Sequence, residues 1–146
     1  MRILPLADPD NADWHEMRHA LWPESGRDQH AAELNRFVAD PRFAAFLAVA
    51  PDGRAAGFAE VSLRSDYVEG CDTSPVAYLE GIYVRPGFRR RGVARLLVAA
   101  AEAWGRSRGC AEFASDADLD NAVSHEMHRR LGFHETGRVV YFKKGL

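Results

Sequence analysis

A chain of 146 residues with 47% hydrophobic content is long enough to bury one core, so we expect a single domain over residues 1–146. Its formal net charge of −2 argues against a nucleic-acid-binding protein, because a surface that follows phosphates usually makes the whole domain basic. The sequence contains no apolar run of about eighteen residues, so we also expect no membrane partner.

The cysteines and the N-terminal residues indicate a cellular location. Cys71 and Cys110 form neither a CxxC pair nor a disulfide framework, which fits a reducing compartment. The first residues lack the apolar run of a signal peptide. We therefore expect a cytoplasmic protein.

Apolar spacing and turn residues in the first half of the chain predict one strand, two helices and a hairpin. Trp14 and Met17 share the apolar face of the first helix, and Pro23 ends it. The turn Pro51-Asp-Gly53 joins the two strands of the hairpin. The predicted elements are a strand at 2–6, a helix ending near residue 21, a helix from about 28 to 40, and strands at 43–50 and 56–64.

The second half of the chain predicts further strands and two helices. A polar loop at 65–75 separates the hairpin from a strand at 76–84, which we expect to be its partner in the sheet. The longest helical pattern runs from Arg91 to about Ser107, and Gly109 follows it. The remaining predicted elements are a short buried strand at 110–114, a helix from residue 120 or 121 to about 131, and a closing strand at 138–143.

A turn rich in arginine joins the strand at 76–84 to the long helix. Four arginines fall within the eleven residues from Val84 to Ala94. A helix N-terminus already carries partial positive charge, so arginine is unfavourable there unless an anion binds. The turn is therefore a candidate phosphate site, although it matches neither a Walker loop nor the G-x-G-x-x-G of a dinucleotide site. The alternative is a solvated basic turn.

Two motifs resemble those of the GNAT acetyltransferase superfamily. Arg89-x-x-Gly92-x-Ala94 opens a helix after an apolar strand and is similar to the acetyl-CoA pyrophosphate loop. The pattern Asn121-x-x-Ser124-x-x-x-His128, before Leu-Gly-Phe, is similar to the last helix and the turn after it. Further blocks resemble aminoglycoside 6′-N-acetyltransferases and extend the resemblance over nearly the whole chain: Trp14-x-x-Met17-Arg18, Leu21-Trp22-Pro23, Tyr78-Leu-Glu-Gly-Ile-Tyr-Val84 and Ala114-Ser-Asp116.

The resemblance implies a GNAT fold of the α/β class, with a central mixed, mostly antiparallel sheet flanked by about four helices. It implies acetyl-CoA as co-substrate, whose pantetheine arm pairs with a strand edge like an added strand. Asn121 and Ser124 either reach this arm or cap the last helix. The implied cofactor-binding residues are Ile82, Tyr83, Val84, Arg89, Arg90, Arg91, Gly92, Val93, Ala94, Asn121 and Ser124.

His128 stands where the superfamily often has a tyrosine that protonates the departing thiolate, so it is a candidate acid, with a packing histidine as the alternative.

No motif predicts a metal site. His15 and His19 lack a third ligand, and His125-Glu-Met-His128 is one residue short of the H-E-x-x-H pattern. Cys110 opens an apolar strand, where thiols are usually unreactive, so we expect direct transfer without an acetyl-enzyme.

Clustered acidic residues predict a cationic substrate. Residues 110–128 include five carboxylates and no lysine or arginine. Asp116 follows a central strand, where ligands gather in open α/β sheets, and we expect it to contact a substrate ammonium group. We expect Glu80 to accept the amine proton through a water or to orient the substrate. Trp22 and Tyr67 are candidate walls for a sugar ring, and Trp22 is equally a candidate core residue.

Together with the acidic clusters, the resemblance implies an enzyme that moves acetyl from acetyl-CoA to the 6′-amine of aminoglycoside antibiotics, an activity that confers resistance. The resemblance also implies a homodimer. One alternative is the same chemistry on another cationic amine, such as a polyamine, a protein N-terminus or a lysine. Another is a non-catalytic acyl-CoA-binding module that has lost turnover.

Overall fold

A five-stranded sheet forms the centre of the protein, whose computed structural model describes all 146 residues. The strands lie side by side in chain order, with three antiparallel pairs followed by one parallel pair. They are β1 (Arg2–Leu6), β2 (Phe43–Val49), β3 (Ala55–Arg64), β4 (Val76–Val84) and β5 (Phe113–Ser115). The helices are α1 (Ala12–Leu21), α2 (Arg27–Ala39), α3 (Val93–Ser107) and α4 (Ala122–Arg130). This confirms the expected mixed, mostly antiparallel sheet with four helices.

Helices α1 and α2 cover one face of the sheet. Asn11 begins α1 by accepting a hydrogen bond from the Trp14 N–H at 2.9 Å, which satisfies one free amide of the first turn. Trp14, Met17 and Leu34 are almost fully buried in one cluster with Phe58 of β3. Each such burial stabilises the fold by about 1.5–3 kcal/mol, so these contacts fix both helices against the sheet.

Helix α3 packs on the opposite face. Its side chains Val93, Leu97 and Val98 are buried in a cluster with Leu79 of β4. Glycine at position 105 allows a close approach, because a Cβ there would lie 2.7 Å from the Cβ of Ala77. Since α3 follows β4 along the chain with only a short 3₁₀ turn between them, its N-terminus lies near the carboxyl end of β4.

A bulge in β4 changes which face its side chains occupy. Glu60 of β3 pairs with Gly81, and Val61 pairs with Leu79, so Glu80 is an extra residue without a partner. Leu79 lies in the cluster beneath α3. The bulge turns the next two residues, Glu80 and Gly81, toward the face that α1 covers.

Two predicted strands differ from the structure. The strand expected at 138–143 is wrong, since residues 133–146 have no regular secondary structure and Val139 to Phe142 are 63–92% exposed. β-branched and aromatic residues favour a strand only beside another strand, and no strand of this chain pairs with them. The strand expected at 110–114 lies at Phe113–Ser115, because Cys110 still donates its N–H to the Gly105 carbonyl at the end of α3. None of the helices combines the length and apolar content needed to cross a membrane.

Candidate functional site

The turn between β4 and α3 presents unpaired backbone donors. Arg90 and Gly92 have positive φ values of 60° and 77°, which turn the chain sharply before α3. The N–H groups of Arg90, Arg91 and Gly92 donate to no protein acceptor, and no side chain caps α3. Consecutive free amides at a helix N-terminus bind anions, so we call residues 89–94 the anion turn.

The side chains of the anion turn divide into two groups. Arg90 and Arg91 are exposed and take part in none of the salt bridges. Arg89 instead donates from Nε to the Val84 carbonyl at 2.8 Å, and the Val93 side chain is buried beneath α3. The turn thus offers two free guanidinium groups and several free amides, which fit a pyrophosphate.

Strands β4 and β5 diverge next to the anion turn. They pair at only three positions, the last of which joins Leu79 to Ser115. Beyond Leu79, the edge of β4 that would continue this pairing has no partner strand, and it includes Ile82–Val84. An extended amide chain that starts at the anion turn and follows this edge reaches the base of the fork, beside Ser115 and Asp116.

Helix α4 brings His128 to the base of the fork. Asn121 Oδ1 accepts from the Ser124 N–H at 3.0 Å, so Asn121 caps α4, one of its two expected roles. His128 Nδ1 lies 2.7 Å from the Ser124 carbonyl, and Nε2 lies 2.8 Å from Ser115 Oγ. A carbonyl only accepts, so Nδ1 carries a proton and, in the neutral ring, Nε2 accepts from the Ser115 hydroxyl. Sequence reasoning missed Ser115, whose only signal was its place before Asp116.

Asp116 forms a hydrogen-bonded pair with Tyr78 at the base of the fork. The Tyr78 hydroxyl donates to Asp116 Oδ2 at 2.5 Å. Burial, together with the Asp116 carboxylate, raises the pKa of Tyr78 above its usual value, so the hydroxyl remains a donor at neutral pH. Asp116 is exposed and its Oδ1 has no protein partner, so this oxygen is available to a cationic ligand.

Glu80 is paired within the protein. Its Oε1 accepts from Ser62 Oγ at 2.6 Å, and Arg64 donates to both carboxylate oxygens, with both Nη2 distances at 2.9 Å. The Arg64 guanidinium also lies 3.4 Å from the centre of the Tyr78 ring. Sequence reasoning missed this role of Arg64, although it is the only cation between residues 60 and 80.

Trp22 packs on the core, which is one of its two expected roles, and it also lines a cavity. A Cβ on residue 81 would clash with the Trp22 ring, and this ring meets Phe58 edge-on at 6.4 Å. On its other side lies an open cavity of about 600 Å³ whose wall also includes Glu80. Tyr67 does not line this cavity; it is exposed and donates to Glu69 at 2.5 Å.

A buried ion-pair network underlies the same cavity. Glu60 is 2% exposed and accepts from Trp14 Nε1 and Arg18 Nε, each at 2.8 Å. Arg18 also donates to Glu33 at 2.9 Å. The network ties α1 to both α2 and β3, and thereby fixes the end of α1 that carries Trp22. The pairing itself left no signal in the sequence, because Arg18, Glu33 and Glu60 are far apart in the chain.

Other reactive groups do not assemble a second centre. No three His, Cys, Asp or Glu side chains come together in an arrangement that holds a metal ion. Cys110 is buried, and burial raises the pKa of its thiol, which leaves little thiolate at neutral pH. His15 forms its hydrogen bond with the backbone and not with an acidic group: its Nε2 lies 2.7 Å from the Pro9 carbonyl.

Known proteins similar to this chain share its full length. The model of the acetyltransferase (GNAT) family matches residues 11–133. The chain is 49% identical over 144 residues to the aminoglycoside N(6′)-acetyltransferase type 1 of Acinetobacter genomosp. 13, with 99% of this chain and 98% of that protein covered. It is 46% identical over 145 residues to the protein of the same name from Serratia marcescens, with 99% of each covered.

Solved structures similar to this one agree with the sequence comparisons. The apo crystal structure of the aminoglycoside 6′-N-acetyltransferase AAC(6′)-IG from Acinetobacter haemolyticus matches with a TM-score of 0.94 at 46% identity, covering 100% of this chain and 99% of that one. AAC(6′)-Iy in complex with the bisubstrate analogue CoA-S-monomethyl-acetylneamine matches with a TM-score of 0.93 at 44% identity, covering 99% and 98%.

Proposed function

The chain belongs to the acetyltransferase (GNAT) family, and from this premise we propose that it transfers acetyl from acetyl-CoA to the 6′-amine of aminoglycoside antibiotics, an activity that confers resistance. The observation that carries the proposal is full-length similarity: relatives named for this activity, at 46% and 49% identity, align over 99% of the chain. An anion turn beside a carboxylate-lined fork supports it chemically. In this proposal residues 1–146 act as one catalytic domain.

The anion turn holds the pyrophosphate of acetyl-CoA. The amides of residues 90–92 and the guanidinium groups of Arg90 and Arg91 supply charge-assisted hydrogen bonds. Arg89 contributes by holding the turn to the Val84 carbonyl. The open edge at Ile82–Val84 pairs with the pantetheine amides, and Ser124 lies across the fork from it.

Direct transfer from thioester to amine needs no acetyl-enzyme. The acetyl group of acetyl-CoA is activated as a thioester. The departing CoA thiol has an ordinary pKa of about 8.5, so it leaves readily. The attacking amine has to lose a proton, and the free Oδ1 of Asp116 accepts it directly or through a water, with Glu80 orienting the substrate. Cys110 is buried and takes no part.

His128 protonates the departing thiolate through Ser115. A protonated imidazole donates from Nε2 to Ser115 Oγ, which frees the serine proton for the sulfur at the base of the fork. If His128→Phe keeps the wild-type kcat and the wild-type pH profile, His128 has no such role.

The acceptor lies against Trp22 and beneath the loop at 65–75. The Trp22 ring forms the wall of the cavity beside Glu80, which gives a sugar ring a flat apolar surface. Tyr67 does not line this cavity, whereas its neighbour Val68 packs on Tyr78. Glu80 lines this cavity and directly follows Leu79, the last residue of β4 that pairs with β5.

A second copy of the chain covers the exposed C-terminal segment. Val139 to Phe142 expose four large apolar side chains in a row, which isolated soluble proteins rarely do. We expect a homodimer in solution, and a variant that ends at Gly137 should be a monomer by light scattering. Two free cysteines and a requirement for acetyl-CoA favour a cytoplasmic location.

Release of free CoA thiol with a panel of amines tests the proposed reaction. The expected result is rapid release with a 6′-amino aminoglycoside and little with a linear polyamine, a peptide or water. Preference for the polyamine or the peptide would assign the same chemistry to another amine. Acetyl-CoA binding without release for any amine would identify a non-catalytic binding module.

A further inference from the structure

Glu80 and Asp116, the two carboxylates that face the acceptor, differ in how many of their oxygens are free. Asp116 has one oxygen bound to Tyr78 and one without a partner. Glu80 has both oxygens bound to Arg64, and Ser62 adds a third donor. A substrate ammonium group that contacts Glu80 therefore meets a site that already holds a cation.

The position of Arg64 links the two carboxylates. Its guanidinium lies on the face of the Tyr78 ring, 3.4 Å from the ring centre, while the hydroxyl of the same ring donates to Asp116. A cation over an aromatic face beside a carboxylate is the arrangement that a substrate ammonium would adopt. Arg64 thus makes the interactions that a substrate ammonium group at this position would make.

The Arg64–Glu80 pair is more accessible to solvent than the other ion pair on this face of the sheet. The Arg64 and Glu80 side chains are 42% and 27% exposed, and Arg64 is the last residue of β3. The Arg18–Glu60 pair of the same face is 7% and 2% exposed, which makes it a permanent part of the core. Because water reaches both charges when the Arg64–Glu80 pair opens, a competing cation displaces one partner at lower cost than in the buried Arg18–Glu60 pair.

We propose that Arg64 is a resident cation of the acceptor site, which a polycationic acceptor has to displace from Glu80 before it binds productively. This inference rests on the proposed function, because it takes the acceptor to be an aminoglycoside. The apparent affinity for the acceptor is the intrinsic affinity multiplied by the fraction of molecules in which Glu80 is free. An acceptor with several ammonium groups overcomes this competition, whereas a single amine does not, so Arg64 selects for polycations.

The test is the Michaelis constant of Arg64→Gln for a 6′-amino aminoglycoside. Removing the resident cation should lower this KM about three- to tenfold, with kcat and the KM for acetyl-CoA unchanged. Arg64→Lys keeps the charge and should lie close to wild type. Arg106→Gln, on the exposed side of α3, is the matched control for loss of one positive charge.

A double-variant cycle ties the effect to Glu80. In a Glu80→Gln background, Arg64→Gln should lower KM no further, because no carboxylate remains to be released. An unchanged or raised KM in Arg64→Gln, or a fall in kcat, would overturn the inference and make Arg64 a positioning residue for Glu80. A wild-type enzyme that acetylates no aminoglycoside would contradict the proposed function instead, so the two failures are distinguishable.

Discussion

The role of each carboxylate in the fork depends on its immediate neighbours. Asp116 keeps a free oxygen because Tyr78 binds only the other one, whereas Glu80 is held on both oxygens by Arg64. Sequence patterns gave these two side chains different roles but did not indicate which of their oxygens are free. Their partners come from β3 and β4, at positions 64 and 78, and only the folded sheet brings these next to the carboxylates.

Replacement of Asp116 by asparagine should weaken the use of the aminoglycoside acceptor without affecting acetyl-CoA. A carboxylate–ammonium hydrogen bond in a partly desolvated site is worth about 1.5–3 kcal/mol, so kcat/KM for a 6′-amino aminoglycoside should fall about ten- to a hundredfold. The KM for acetyl-CoA should stay the same. Steady-state kinetics measures both, with Asp118→Asn as a neighbouring control. Equal losses in the two variants would show that general charge, not the Asp116 contact, is responsible.

Replacement of Gly92 by valine should weaken the binding of acetyl-CoA alone. Gly92 has φ of 77°, where a β-branched residue is strained by about 1–3 kcal/mol, so the turn should shift and its amides should lose their alignment. The dissociation constant for acetyl-CoA, measured by calorimetry, should rise about tenfold or more. Gly87→Ala is the control, because residue 87 has open space and no positive φ. Wild-type affinity in Gly92→Val would remove the anion turn from the cofactor site.

Among the secondary-structure elements, α1 is fixed by a buried charge network as well as by apolar packing. Arg18 reaches Glu60 on β3 and Glu33 on α2, and all three lie beneath the cavity. Burying charges costs free energy unless every member is paired. The network therefore makes the orientation of α1, and of Trp22 at its end, depend on three elements at once.

Breaking this network should be far more costly than breaking a surface pair. Glu60→Leu leaves the buried Arg18 without its main partner and should lower the free energy of unfolding by about 3–5 kcal/mol. Asp52→Ala removes an exposed pair with Arg54 and should change it little. Urea denaturation measures both. A small effect in Glu60→Leu would mean that α1 is held by apolar contacts alone.

Glu112 makes the loop at 65–75 sensitive to acid. Its carboxylate accepts from the Thr73 hydroxyl at 2.5 Å and from the N–H groups of Asp72 and Thr73 at 2.9 and 2.8 Å. The Thr73 hydroxyl, and then the two amides, hold the pKa of Glu112 below its usual 4.5. A carboxyl with a lowered folded-state pKa adds stability above pH 4.5, and this stability is lost as the pH falls through the folded-state value.

The Glu112→Gln variant should therefore melt below wild type at pH 7, and the gap in Tm should close as the pH falls below 4.5. Thermal unfolding at several pH values measures the gap. A gap that is the same at pH 7 and at pH 3 would assign the effect to packing and not to the charge of the carboxylate.

The sequence predicted elements better than it predicted pairings. Strands β1 and β4 begin and end as expected, because Arg2–Leu6 and Val76–Val84 are bounded by turn residues. The closing strand at 138–143 failed because strand formation requires a neighbour that this chain does not supply. The bulge at Glu80 was also invisible, since it depends on the register between β3 and β4.

At the scale of the whole molecule, the sheet separates the two halves of the proposed chemistry. The anion turn and His128 lie with α3 and α4, whereas Trp22 and the Arg64–Glu80 pair lie on the face covered by α1 and α2. The fork between β4 and β5 is where the two sides meet. This arrangement lets a thioester approach from one side and a polycation from the other, with their opposite charges kept apart.

Part of the candidate site could be predicted from the sequence. The anion turn, Asp116 and Trp22 follow from motifs that are contiguous in the sequence. Tyr78 as the partner of Asp116, Ser115 as the partner of His128, and the Arg64–Glu80 pair depend on side chains that only the folded sheet brings together. Sequence patterns therefore indicated candidate site residues but did not determine which of their charges are free.

Regiospecific acetylation is the most direct measure of the proposed activity. Wild-type protein, acetyl-CoA and a matched pair of aminoglycosides, one with a 6′-amine and one with a 6′-hydroxyl, should be incubated and their products mapped by NMR. The predicted result is a single acetyl group on the 6′-nitrogen of the first compound and none at the 6′-position of the second. Acetylation at another ring amine, or efficient acetylation of a peptide with both aminoglycosides left intact, would contradict the assignment.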